Sequence, residues 1–189
     1  SRYLIPFGVL SPRVESAPEI PPPLKVLMKN AGIDPASYEG SIGDIRQAVQ
    51  KHMRANQESL GKDYSDLNDD QLTDDYNYLI FPNINLNTHA DDLMLFRNRP
   101  HPSDPNRMLF DIWMFELLPQ GEPWPELPKH DFRPEGSHRS LGLVIDQDAA
   151  NLASVQAGMN SAAYPGLWLS DQELRIRHFH KTIGDMVGD

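Results

Sequence analysis

The sequence predicts an α+β fold in which an antiparallel sheet is followed by a C-terminal helix packed on it. The middle of the chain holds three apolar segments of strand length, at 76–87, 93–98 and 108–117, and the first of them alternates in polarity. The connections between these segments are short, and strands joined in this way pair antiparallel. The capping box Ser170-Asp171-Gln172-Glu173 then predicts the start of a closing helix.

The flanking elements are predicted from local patterns. A mixed apolar run at 3–10 predicts a strand that Pro6 interrupts, and helices are expected at 24–30 and 42–58. The aspartate-rich stretch 59–75 lacks the spacing and central glycine of an EF-hand loop, so we expect a solvated segment that caps a helix. Residues 119–136 contain many prolines, which predicts a long loop.

Two helices are expected after this loop. The first covers 146–159, and the second follows the capping box. The apolar residues of the closing helix recur at helical spacing and should form its buried side. They are Ile176, Phe179, Ile183 and Val187.

Length, composition and charge exclude several classes of protein. The 189 residues suit one domain, with a formal net charge of -10 and no cysteine. Nucleic-acid binding and binding to anionic lipid both need a basic face, so we expect neither partner. No stretch approaches the roughly 20 apolar residues of a membrane span, and we expect a cytoplasmic protein. Without cysteine, these residues form no disulfide, thiolate nucleophile or cysteine-bound iron–sulfur cluster.

One carboxylate is a candidate for chemistry. Asp148 follows the apolar segment 141–145, which we expect to carry it into the core or to the edge of the core. A buried carboxylate must be paired, protonated or bound to a metal. Alternatively it is a charge at a helix N-terminus, a position that Asp146 would fill equally well. The seven histidines show no ligand pair with three or four residues between them, and there is no Gly-x-Ser-x-Gly motif.

Four segments, in order, resemble the α subunits of Rieske-type aromatic-ring-hydroxylating oxygenases. These segments are Tyr76–Asn83, Arg99–Pro105, Val144–Gly158 and Leu169–Glu173. The resemblance implies a helix-grip, START-like catalytic domain with a mononuclear Fe(II) held by two histidines and one carboxylate. It also implies a separate N-terminal Rieske domain, which holds a [2Fe–2S] cluster through two cysteines and two histidines.

The resemblance assigns roles to five residues. Asp148 matches the carboxylate ligand of the iron, and Asn151 is a polar neighbour that would help to position it. Asn77 and Val144 fall where the family lines its substrate pocket, and Asn87 is a further pocket candidate. No other catalytic residue is assigned.

The family's histidine pair and its Rieske domain have no counterpart in these 189 residues. The resemblance therefore implies the C-terminal part of a catalytic domain, inactive alone, in the single domain 1–189. The complete enzyme would use O₂ to hydroxylate an aromatic or related apolar ring. Its electrons would come from NAD(P)H through a ferredoxin or reductase. A homotrimer is expected, with or without β subunits.

Two alternatives remain open. One is a helix-grip module that binds an apolar ligand without chemistry, in which Asp148 is a helix-capping charge. The other is an accessory protein that docks through the proline-rich loop 119–136.

Overall fold

The computed structural model describes residues 2–134, 136–137 and 140–188. The chain divides into two compact units. The first unit comprises Ser1–Pro102 with Arg107–Trp124, and the second comprises Ser103–Asn106 with Pro125–Asp189. Among the residues described, no helix combines the length and the apolar character that crossing a bilayer requires.

The first unit contains a five-stranded antiparallel sheet in which every strand pairs with its neighbours in sequence. The strands are β1 (Arg2–Ile5), β2 (Asp75–Ile80), β3 (Ile84–Thr88), β4 (Asp92–Pro100) and β5 (Met108–Glu116). Together with the helices, this sheet confirms the α+β prediction.

Two strand predictions are wrong in their extent. The predicted strand at 76–87 is a hairpin of β2 and β3, with its turn at 81–83. Pro82 cannot donate to the ladder, so the strand ends there. Asn83 then ties the turn to β4, because its Nδ2 donates to the carbonyl of Asn98 at 2.8 Å. The first strand ends at Ile5, so the predicted interruption at Pro6 is confirmed, but no strand continues over 7–10.

The hydrophobic core of the first unit is formed mainly by its helices, with Tyr64 from the segment between two of them. Its helices are α1 (Pro12–Glu15), α2 (Pro22–Asn30), α3 (Ile45–Asn56) and α4 (Asp69–Thr73), with single 3₁₀ turns at Pro35–Ser37 and Ile42–Asp44. Apolar residues three to four positions apart turn one face of each longer helix toward the others. The buried cluster is Leu24, Met28, Ile45, Val49, Met53, Tyr64 and Leu72.

The acidic segment is only partly as predicted. It does cap a helix, but the cap is Asn68, whose side chain accepts from Gln71 N at 2.9 Å. The expected solvation is wrong for Asp74, which is buried. Arg46 Nη1 lies 2.6 Å from Asp74 Oδ1, and this ion pair compensates the buried charge. Arg46 also donates to the carbonyl of Phe7 at 2.6 Å.

The second unit contains two longer helices, α5 (Leu143–Met159) and α6 (Leu174–Val187), and a 3₁₀ turn at Asp171–Glu173. The predicted capping box is confirmed, because Ser170 N donates to Glu173 Oε2 at 2.6 Å. The predicted loop is confirmed for 119–134 and 136–137, which contain no helix or strand.

The predicted buried side of the closing helix is wrong within this unit. None of the described residues of α6 is buried, and Val187 is 72% exposed. Helical periodicity shows that a helix is amphipathic, but it does not show which surface covers the apolar side. The packing of this helix on the sheet therefore stays a prediction.

Candidate functional site

Two asparagines meet on one face of the sheet. Asn77 of β2 lies directly opposite Asn87 of β3, and Asn77 Nδ2 donates to Asn87 Oδ1. Both side chains are half-buried. The sequence predicts each of them separately as a pocket residue, and the structure brings them together as a pair. Among the described residues, the side-chain oxygen of Asn77 and the amino group of Asn87 have no further partner and are available to a ligand.

The surface around this pair is largely apolar. Side chains alternate between the two faces of a strand, so the pairing register shows which residues share the face of Asn77. We call this surface the asparagine face. It comprises Tyr3, Ile5, Asp75, Asn77, Leu79, Asn85, Asn87, Asp92, Met94, Phe96, Asn98, Pro100, Met108, Phe110, Ile112, Met114 and Glu116. Phe96 and Phe110 stack with ring centroids 5.3 Å apart. The asparagine face thus carries aromatic and aliphatic side chains beside the asparagine pair, with further polar residues on β2, β3, β4 and β5.

A histidine between two carboxylates borders the asparagine face. His89 Nδ1 lies 2.7 Å from Asp92 Oδ1, and its Nε2 lies 3.9 Å from Asp75 Oδ1. The hydrogen bond to Asp92 raises the pKa of His89 above its ordinary value, against the opposing effect of burial. Burial raises the pKa of Asp75, whose Oδ1 has no hydrogen-bond partner among the described residues. Sequence reasoning missed this cluster, although His89 lies two residues after Asn87 and so continues the same face.

Asp148 is not where the sequence predicts it. It is exposed, so the expectation that the preceding apolar segment carries it into the core is wrong for the structure of the second unit. Residues 143–145 form the first turn of α5, and Asp148 in the following turn is exposed to solvent.

The structure also removes the capping interpretation of Asp148. The first-turn carboxylate is Asp146, which accepts from Leu141 N at 2.8 Å and from the hydroxyl of Ser140. The hydrogen bond from Leu141 N lowers the pKa of Asp146 most, and the one from the Ser140 hydroxyl lowers it further. Asp148 lies in the second turn, where the field of the helix terminus has faded. Within the described part of the chain it has no hydrogen-bond or ion-pair partner.

Of the other two predicted site residues on this helix, the structure describes the side chain of Asn151 only. Asn151 is exposed and lies three positions after Asp148, so the two project from neighbouring positions of the helix. The side chain of Val144 lies outside the described residues. Asp148 and Asn151 belong to the second unit, whereas Asn77 and Asn87 belong to the first.

The described residues do not by themselves fit a mononuclear iron. Such a site needs two histidines and a carboxylate around one point. No group of three or more histidine, aspartate or glutamate side chains converges in this way within 2–134, 136–137 and 140–188. Asp148 is the one iron ligand that the family resemblance assigns within these described residues.

A family comparison identifies the class of protein. The family model described as the ring-hydroxylating α subunit, catalytic domain, matches residues 20–189. The chain therefore belongs to the family of ring-hydroxylating α-subunit catalytic domains, as the four sequence motifs indicate. No curated protein and no solved structure gives a significant match.

Proposed function

We propose that this chain contributes to an O₂-dependent ring hydroxylase that acts on an aromatic or related apolar ring. Membership of the ring-hydroxylating family supports an oxidoreductase of this class. The single structural observation that supports it is the asparagine face. Ligand sites for rings combine apolar surface with polar groups that fix orientation, and the stacked phenylalanines and the asparagine pair supply both on this face.

The proposed roles on the asparagine face follow from its contacts. The stacked Phe96 and Phe110 and the neighbouring Leu79 offer an apolar surface for a ring. The Asn77–Asn87 pair offers one acceptor and one donor to a substituent on that ring. Val144 is proposed as a further pocket residue on the family resemblance alone.

The iron site is proposed on the same resemblance. Asp148 is assigned as the carboxylate ligand of a mononuclear Fe(II), and Asn151 as a neighbour that positions it. The histidine ligands are assigned to sequence other than these 189 residues, as is the [2Fe–2S] Rieske cluster. Two findings support a role for Asp148 beyond the fold: Asp146 already provides the first-turn charge of α5, and the described structure gives Asp148 no partner.

The wider setting is also a proposal. Electrons are assigned to NAD(P)H through a ferredoxin or reductase, and the complete protein is proposed to be a cytoplasmic homotrimer, with or without β subunits. A single domain over 1–189 is kept as part of this proposal.

Substitution of Asp148 in the complete natural protein tests the assignment. Asp148→Ala should abolish ring-dependent O₂ uptake and remove the mononuclear iron, while the visible absorbance of the Rieske cluster persists. The matched control is Gln147→Ala, an exposed neighbour on the same helix, which should leave activity and iron unchanged. Retained turnover in Asp148→Ala would remove Asp148 from the iron site.

A further inference from the structure

A depression of about 510 Å³ lies in the second unit, where the chain passes from α5 to α6. Its volume falls in the range of small-molecule sites. One wall comes from the end of α5 and the segment after it, and the other comes from α6. The lining residues are Met159, Tyr164, Gly166, Leu167, Leu169, Arg177 and His180.

The depression combines an apolar lining with a cationic side. Met159, Leu167 and Leu169 supply aliphatic surface. Arg177 and His180 are three residues apart on α6 and therefore neighbour each other on the helix. In a chain with a formal net charge of -10, a guanidinium beside aliphatic surface, with an imidazole as its neighbour, indicates a site for an anion with an apolar body.

A hydrogen bond holds the Arg177 side chain in place and leaves some of its N–H donors available. Its Nη2 donates to the carbonyl of Leu169 at 2.5 Å, which fixes the guanidinium beside the depression. Its nearest carboxylate is Asp171, at 3.7 Å, and that side chain is fully exposed. Such a pair in water contributes little, and Glu173, which also interacts electrostatically with Arg177, already accepts from Ser170 N, so N–H donors of Arg177 are available to a ligand. The guanidinium has five N–H donors, and bidentate pairing with a carboxylate is its strongest mode of recognition.

Tyr164 supplies the independent observation. Its hydroxyl oxygen is buried and has no hydrogen-bond partner among the described residues. A buried hydroxyl without a partner is unfavourable, and native structures contain few such groups. Because solvent does not reach this oxygen, a carboxylate in the depression would supply the missing acceptor once the Tyr164 side chain turns its hydroxyl toward the depression.

We propose that this depression binds a small carboxylic acid with an apolar body. The carboxylate pairs with Arg177 and accepts from the hydroxyl of Tyr164, and the apolar body lies on Met159, Leu167 and Leu169. Met159 lies 11 positions after Asp148 on α5, about 16 Å along the helix axis. The proposal therefore stands independently of the role assigned to Asp148.

Calorimetric titration of the full chain with 4-phenylbutyrate tests this site, with the uncharged 4-phenylbutanamide as the matched ligand. The acid should bind, and the amide should bind at least about tenfold more weakly, because it cannot form the charged pair. Arg177→Gln should weaken acid binding by at least about tenfold. Arg175→Gln removes a cation from the same helix outside the depression and should leave acid binding unchanged.

A second variant guards against a loss of folding. Tyr164→Phe keeps the aromatic ring, removes the hydroxyl and should weaken the binding of the acid. In the unsubstituted chain, the NMR signal of the Met159 methyl group should shift on titration with the acid, because the apolar body contacts that side chain. The proposal is overturned if the acid does not bind, or if acid and amide bind equally. It is also overturned if Arg175→Gln weakens binding as much as Arg177→Gln, or if the Met159 signal does not move.

Discussion

Removal of the Arg46 side chain should destabilise the first unit strongly. The guanidinium contacts Asp74 Oδ1 at 2.6 Å and the carbonyl of Phe7 at 2.6 Å, and the Arg46 and Asp74 side chains are 11% and 3% exposed. Asp74 immediately precedes β2, so this ion pair joins helix α3 to the strand that carries Asn77. The pair thus supports the asparagine face from the helical side.

The magnitude follows from the burial of Asp74. Arg46→Met would leave an uncompensated carboxylate in the interior, which costs about 3–5 kcal/mol. Arg46 also pairs with Asp70, but that side chain is 73% exposed, so its loss adds little. Replacing both members of the buried pair, as in Arg46→Met with Asp74→Leu, removes the unpaired charge and should recover much of the loss.

Urea unfolding followed by far-ultraviolet circular dichroism measures this effect. The midpoint should fall in Arg46→Met while the slope against urea stays the same. Lys51→Met is the control, because Lys51 is exposed on the same helix, and it should change stability by less than about 0.5 kcal/mol. A loss below about 1 kcal/mol in Arg46→Met would refute the reasoning, as would a double variant no more stable than the single one.

Two further predictions concern the asparagine face. Asn77→Leu should weaken the binding of phenol by about tenfold and leave the binding of toluene unchanged, because only phenol has a hydroxyl for the asparagine pair. Tyr76→Phe, on the opposite face of the sheet, is the control and should affect the binding of neither ring. Equal losses for phenol and toluene in Asn77→Leu would contradict the polar role of the pair. The pKa of His89 is raised above its ordinary 6.5, so stabilisation by the charged ring is present below that value and is lost as the pH rises through the folded-state pKa. His89→Gln should therefore reduce the difference in unfolding free energy between about pH 5.5 and about pH 8.5. The loop variant His130→Gln is the control and should preserve that difference. An unchanged difference in His89→Gln would exclude a link between the charge of His89 and stability.

Local patterns predicted much of the fold because they depend on near neighbours in the chain. The capping box at Ser170 is an example, since Ser170 and Glu173 are three residues apart. The strand at 76–87 was predicted as one element because its alternation continues through the Pro82-Asn83 turn. That dipeptide was the available signal for a hairpin.

Long-range pairing limited what could be predicted of the site. Asn77 and Asn87 were predicted as separate pocket residues, but their contact depends on the register of the hairpin. The burial of Asp74 depends on Arg46, 28 positions earlier, and no local pattern indicates that pair. The depression around Tyr164 and Arg177 likewise forms only when the segment after α5 meets α6.

The most direct test of the proposed ring hydroxylase is an iron and acid-labile sulfide analysis of the natural polypeptide that contains these 189 residues. An antibody raised against this chain would isolate it from its source cells. We expect a polypeptide well above 21.4 kDa with about three irons and about two sulfides, one iron being lost in Asp148→Ala. A polypeptide of 21.4 kDa without iron would contradict the proposal and favour a module that binds an apolar ligand without chemistry.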